Sequence, residues 1–177
     1  HVQKLVMLMA DIQRHSACSM AILSGNGGFE QQVNALRRKI NARISYLQGS
    51  PDLADVVDPA EWEAVVSEWR VVGYGWRRDH LLHNFELHSH LIDKIAGIVK
   101  TTGRWIMRSG NYSDYIAGLH LSHAFFEYLF SRGIVQIEVM GKLRGLGAHV
   151  ASTGADEAML SRLGYLAACA VEEHAAY

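Results

Sequence analysis

Proline and cysteine are almost missing from this chain, with two of each among 177 residues. So little proline leaves long helices unbroken. The two cysteines, Cys18 and Cys169, stand alone, with neither the spacing of a disulfide framework nor that of a metal site. Each reads as a small buried apolar residue. Long apolar runs are also missing: the longest is Leu5-Val-Met-Leu-Met-Ala10, against the roughly 20 residues a membrane span needs. No signal peptide pattern is visible. Neither sign of charge dominates, since 17 basic residues stand against 18 acidic ones. Without a basic stripe, nothing favours nucleic-acid binding by this segment. No glycine-rich phosphate loop, catalytic triad or paired-carboxylate arrangement stands out. Nothing in the sequence requires enzymatic turnover or a cofactor.

What is present is helical periodicity. A first helix is expected over about Val2–Ser24, with Leu5, Leu8, Ile12, His15, Ser19 and Ile22 on one seam. Gly25-Asn-Gly-Gly28 supplies the positive-φ residues that end it. A second helix, about Phe29–Leu47, turns Val33, Leu36, Ile40 and Ile44 inward and breaks at Gln48-Gly-Ser-Pro-Asp52. Asp58-Pro-Ala-Glu61 reads as the start of a third, with an Asp cap and Pro in the first position. That helix ends at Gly73-Tyr-Gly75. A fourth is expected over about Arg77–Thr102, closed by Thr101-Thr-Gly103. Ser113 is placed to cap a long fifth helix reaching about Ser152, and a last one runs from Asp156 onward. No sustained period-two alternation occurs. The chain therefore reads as a single all-α domain over 1–177, an antiparallel bundle of about six helices.

Arg144, in Gly141-Lys-Leu-Arg-Gly-Leu-Gly147, is the most informative position. The apolar spacing Ile116, Leu119, His123, Phe126, Phe130, Ile137, Met140, Arg144 and Gly147 puts this guanidinium on the face turned to other helices. The glycines beside it each cost a helix interior about 1 kcal/mol relative to alanine. A permanent charge on a packed face, next to side chains cut back to hydrogen, makes sense if an anionic group is meant to fit there. Arg14 borders the first helix's buried seam and His15 falls within it. With Arg144 and Gly145 they form the candidate anion site. The rival account is an interhelical ion pair with Asp11, Glu127 or Glu138.

A faint internal echo adds to this. Ile12-Gln-Arg-His-Ser-Ala-Cys-Ser-Met-Ala-Ile-Leu-Ser-Gly25 and Lys142-Leu-Arg-Gly-Leu-Gly-Ala-His-Val-Ala-Ser-Thr-Gly154 each carry an early Arg, small residues, then a polar residue and Gly. Two such segments suggest pseudo-symmetric packed halves contributing to one interface.

The other signals have plainer readings. His88 and His90 point about 200° apart on a helix and cannot share an ion. His80 and His83 could, but they need further ligands. The Glu-x-x-His motifs of a di-iron bundle are missing, and the spacings His123…Glu127 and His88…Asp93 have the wrong order for haemerythrin-type bundles. Solvated or capping histidines are the simpler account, with no metal. His90-Leu-Ile-Asp-Lys94 is only a weak phosphotransfer signal. Arg37-Arg-Lys39 reads as a solvated face, and Trp62, Trp69, Trp76 and Trp105 as packing.

Two segments, Ile12–Asn26 and Ile137–Gly147, with His90-Leu-Ile-Asp93 preceding the second, resemble the nitrate- and nitrite-sensing (NIT) domain family of bacterial signalling proteins. The resemblance spans most of the chain. It implies an all-helical sensor whose arginines, from different helices, gather around nitrate or nitrite and pass a helix shift to an output module. Arg14 and Arg144 match arginine positions of the two motifs. One departure stands out: Ser16-Ala17 occupies the place where Arg-Gly is common in the family. The loss of a guanidinium from a buried anion site costs roughly 1.5–3 kcal/mol.

The expectation is thus a ligand-sensing domain, with a small anion as ligand and an output domain attached if the chain is a piece of something longer, as its lack of an initiator Met suggests. A homodimer is compatible with it, and so is a soluble segment on the cytoplasmic or periplasmic side of a bacterial membrane. The competing expectation is a non-catalytic interaction or dimerisation bundle that has lost anion binding.

Overall fold

The computed structural model describes residues 2–108, 125, 128–154 and 156–175. Among them all regular structure is helical, and six long helices make up the fold. The expected cap at Ser113 and the stripe positions Ile116, Leu119, His123 and Phe126 lie outside the described residues, as does Glu127.

Helix α1 spans Val2–Leu23 and ends at Gly25, whose φ of 95° is open to glycine without strain. A single 3-10 turn, Gly27–Phe29, follows, with Asn26 Oδ1 accepting from the Gly28 N–H at 3.2 Å. Helix α2 is Glu30–Gln48, α3 is the single turn Pro51–Ala54, and α4 is Pro59–Gly75. The α4 start is built as its sequence suggests: Asp58 Oδ1 accepts from the Ala60 N–H at 2.8 Å, with Pro59 in the first turn. After a 3-10 turn at Trp76–Arg78 comes α5, Leu81–Arg108. A π turn at Leu129–Gly133 leads into α6, Ile134–Thr153, and α7 is Glu157–Ala175.

Helices adjacent in sequence run antiparallel. Asp11 of α1 meets Lys39 and Arg43 of α2, and Glu68 of α4 meets His90 and Lys94 of α5. On α5, Ser19 and His15 of α1 meet Asn84 and His88, an antiparallel register. Phe85 lies beside Leu146, Asp93 beside Lys142 and Gly103 beside Phe130, so α6 runs against α5 as well. Helices α1 and α6 therefore lie parallel to each other, both packed on α5. The main core joins Leu5, Leu8, Ile12, Ile40, Val65, Trp69, Leu91, Ile95, Ile98 and Ile134. Burial of such side chains, at about 1.5–3 kcal/mol each, is the chief stabilising term.

Two features differ from what the sequence suggests. Gly103 does not end α5. It lies inside the helix because the Phe130 ring sits directly against it, where a Cβ would collide. The face of α6 is also displaced. Ile137 and Met140, expected inward, are 47% and 55% exposed, and Arg144 is exposed. Ile134, Val139, Lys142 and Leu146 are buried instead. The π turn adds one residue to the helical count and so contributes about 100° of rotation to this displacement.

Two alanine substitutions separate a packing glycine from an open one. Gly103→Ala forces Phe130 aside and is expected to lower stability by about 1–3 kcal/mol. A Cβ on Gly145 meets no atom within 4 Å, so Gly145→Ala is expected to raise stability by about 0.5–1 kcal/mol. Urea denaturation of the two variants checks the pair; equal effects would contradict the packing described.

Candidate functional site

Helices α1 and α6 touch at two places and part between them. At one end Gln13 presses on Gly141, where a Cβ would lie 2.5 Å from Gln13 Nε2. At the other, Ser24 Oγ is 2.8 Å from both the Met20 carbonyl oxygen and His149 Nδ1. With the hydroxyl donating to the carbonyl, His149 Nδ1–H donates to Ser24. Between these ends the facing residues are small (Ala17, Ala21 and Gly145), and a cleft of about 730 Å³ opens. Met20 forms its floor, and the turn Gly25-Asn-Gly27 closes one side.

Arg14 and Arg144 line this cleft from opposite walls, and among the described residues no carboxylate lines it. Arg14 is 63% exposed, with Nη1 3.9 Å from Asp11 Oδ1. Asp11 itself is buried and already held by Lys39 Nζ at 2.9 Å and Arg43 Nε at 2.7 Å. It is therefore satisfied without Arg14. Lys39, expected on a solvated face, is thus one of its partners. Among the described residues Arg144 has no hydrogen-bond or ion-pair partner. Of the acids weighed as its partner, Glu138 is engaged by Lys142 at 2.6 Å. Arg144 is not buried on a packed face as its spacing suggests. It is exposed and lines the cleft.

His15 is turned away from the cleft. Its ring is fully buried, 5.1 Å from the Trp69 ring and 6.3 Å from that of Trp76, and its Nδ1 is 2.9 Å from His88 Nε2. The tautomers follow from the partners. The Asn84 carbonyl can only accept, so His88 Nδ1–H donates to it at 2.8 Å. Nε2 of His88 is then an acceptor for His15 Nδ1–H. His15 Nε2 is left buried with no partner. Both rings are neutral: burial, with the neighbouring His88 and Arg37, holds His15 down at about 3, and burial holds His88 at about 4. Asn84 Nδ2 also donates to Ser19 Oγ, which donates to the Ser16 carbonyl. Ser16 is buried against Phe85, Ser89 and Ile92 of α5 and does not line the cleft.

On the far face of α6 a second groove of about 330 Å³ lies between α5, α6 and α7. There Lys142 Nζ donates to Asp93 Oδ1 and Glu138 Oε1, both at 2.6 Å, and is only 8% exposed. Burial and the neighbouring Asp93 carboxyl raise the Glu138 carboxyl to about 7 against the opposing pull of Lys142.

Among the described residues no three His, Cys, Asp or Glu side chains gather to hold a metal, and no helix is long and apolar enough to cross a membrane. His83 Nδ1 is 2.6 Å from Asp79 Oδ1, and His90 Nδ1 is 3.3 Å from Glu68 Oε2, both at the surface. Of the four residues singled out in the sequence, Arg14, Arg144 and Gly145 come together and His15 does not. Gln13, Ser24, Asn26 and His149 complete the lining and were not singled out. The echo between segments 12–25 and 142–154 was the available signal, since those segments form the two walls. No family model, curated protein or solved structure matches the chain.

Two opposing pH dependences follow from the buried groups. The histidine pair is depressed below 6.5, so it favours the fold above that pH and withdraws its support as pH falls toward 4. Glu138 is raised, so its contribution is present at low pH and lost as pH rises toward 7. Between pH 7 and 4.5, Glu138→Gln is expected to steepen the loss of stability on acidification. The double variant His15→Leu, His88→Leu is expected to reverse its sign. Melting temperatures at both pH values check each; unchanged slopes would contradict the assignments.

Proposed function

We propose that the chain is a ligand-sensing domain of a bacterial signal-transduction protein, binding a small anion between α1 and α6. The observation that carries the reading is the cleft itself: two guanidiniums from different helices, one of them unpaired, and no carboxylate among the lining residues. A guanidinium presents planar, forked donors suited to an oxyanion. The two segments resembling the nitrate- and nitrite-sensing family are also the two walls of this cleft, although more than a hundred residues separate them in sequence. Nitrate or nitrite is the anion that resemblance supplies. Ser16, which stands where the family commonly has arginine, does not line this cleft.

An anion bridging Arg14 and Arg144 draws α6 toward α1 and so favours one packing of the two helices over another. Couplings of this kind are usually worth about 1–3 kcal/mol. The chain performs no catalysis in this reading. A non-catalytic dimerisation module is the second reading, favoured by Ile137, Met140, Leu160 and Val171, which are 47%, 55%, 54% and 66% exposed on α6 and α7.

Millimolar nitrate is expected to raise the melting temperature of the domain. Arg144→Ala should remove that rise while changing the ligand-free stability by no more than about 0.5 kcal/mol, as for an exposed side chain. An anion-induced shift that survives the substitution would place the site elsewhere.

A further inference from the structure

Nitrate uses little of this cleft. A small oxyanion needs not much more room than the roughly 30 Å³ a water molecule takes in the liquid, whereas the cleft offers about 730 Å³. That volume falls in the range of pockets that hold organic ligands, about 300–1,000 Å³. The cleft is also long. Arg14 and Ser24 both line it, and ten residues of helix separate them, which is about 15 Å.

The lining changes along that length. Arg14 follows Gln13 directly, and Arg144 is nearer in sequence to Gly141 than to His149. Both guanidiniums therefore belong to the half of the cleft away from Ser24 and Asn26. In the middle the surface is apolar and the side chains are short: Ala17, Ala21 and Gly145 over the buried Met20. Open space beside Gly145, where a Cβ would meet no atom within 4 Å, marks this middle section as room rather than contact. At the far end stand uncharged polar groups, Ser24, Asn26 and His149. Burial keeps the His149 ring below its ordinary range and so favours the neutral form there. Positive charge is thus confined to one end.

We infer that the ligand is an organic monoanion with a carboxylate head between Arg14 and Arg144, a short apolar body along Ala17, Met20 and Ala21, and an uncharged polar end at Ser24, Asn26 and His149. The inference rests on the anion-cleft reading above and narrows its ligand class. A bare oxyanion satisfies the arginines and leaves the Ala17 and Ala21 surface in water. An organic body covers that surface, and each methylene laid on it strengthens binding by about two- to fourfold.

Calorimetry of the 177-residue chain with nitrate, acetate and 6-hydroxyhexanoate, at equal ionic strength, tests this. The long hydroxy acid is expected to bind at least about tenfold tighter than acetate or nitrate. Ala21→Leu and, independently, Gly145→Leu fill the middle of the cleft and should cut that preference to below about threefold. Circular dichroism establishes that each variant is folded, and the open space at Gly145 guards against a packing failure at Ala21. Nitrate binding as tightly as the hydroxy acid would overturn the organic class and leave the anion reading standing. A preference that survives both fillings would overturn the placement of the body. No binding of any of the three anions by the folded chain would overturn both readings.

Discussion

The packing of α1 and α6 on a common partner determines most of what this molecule can do. Both helices run against α5, so they must lie parallel, and their contact is fixed by what projects from each toward the other. Gln13 against Gly141 and Ser24 against His149 hold the ends. Alanines and glycine between them leave the walls apart. A cleft flanked by two arginines is therefore a product of helix register and side-chain size. Filling that gap with one leucine would replace the site by an ordinary helix interface.

The buried polar groups are neutralised in different ways, and the contrast identifies the exception. Asp11 is buried as an anion and matched by Lys39 and Arg43. Lys142 is buried as a cation and matched by Asp93 and Glu138. His15 and His88 are buried neutral, each ring oriented by its neighbour. Unpaired buried charge is costly, and in each of these places the chain avoids it internally. Arg144 has no such match and stands exposed at the cleft edge. Its charge is met by solvent.

Much of the fold was legible in the sequence because helix ends are local events. The Asp58-Pro59 start and the stop at Gly25 depend on residues within a turn of themselves. Gly103 was misread as a stop because the reason for a glycine there, the ring of Phe130, lies 27 residues away in sequence. The inward face of α6 was misplaced for a related reason. A π turn has no strong local signature, and one unforeseen residue moves every later position to a new side. Arg14, Arg144 and Gly145 could be singled out without structure, and they line one cleft. His15 could not be assigned correctly, since only the tertiary contact with His88 and two tryptophans shows that its ring serves the core. Ser24 and His149 needed the parallel register before they could be recognised as one end of a cleft.

The five residues Leu129–Gly133 also bear on how this chain tolerates change over generations. If the same five residues straightened into an unbroken α-helix, everything downstream would be re-indexed. Ile137, Met140 and Arg144 would take over the bearings now held by Glu138, Gly141 and Gly145. The lysine clasp on one side of the helix and the arginine on the other would both be dismantled at once, with no side chain in either replaced. Loss of one codon there would instead remove the extra residue and leave the downstream bearings as they are. This stretch of the gene can therefore shorten by one residue but cannot lose its wide turn at constant length.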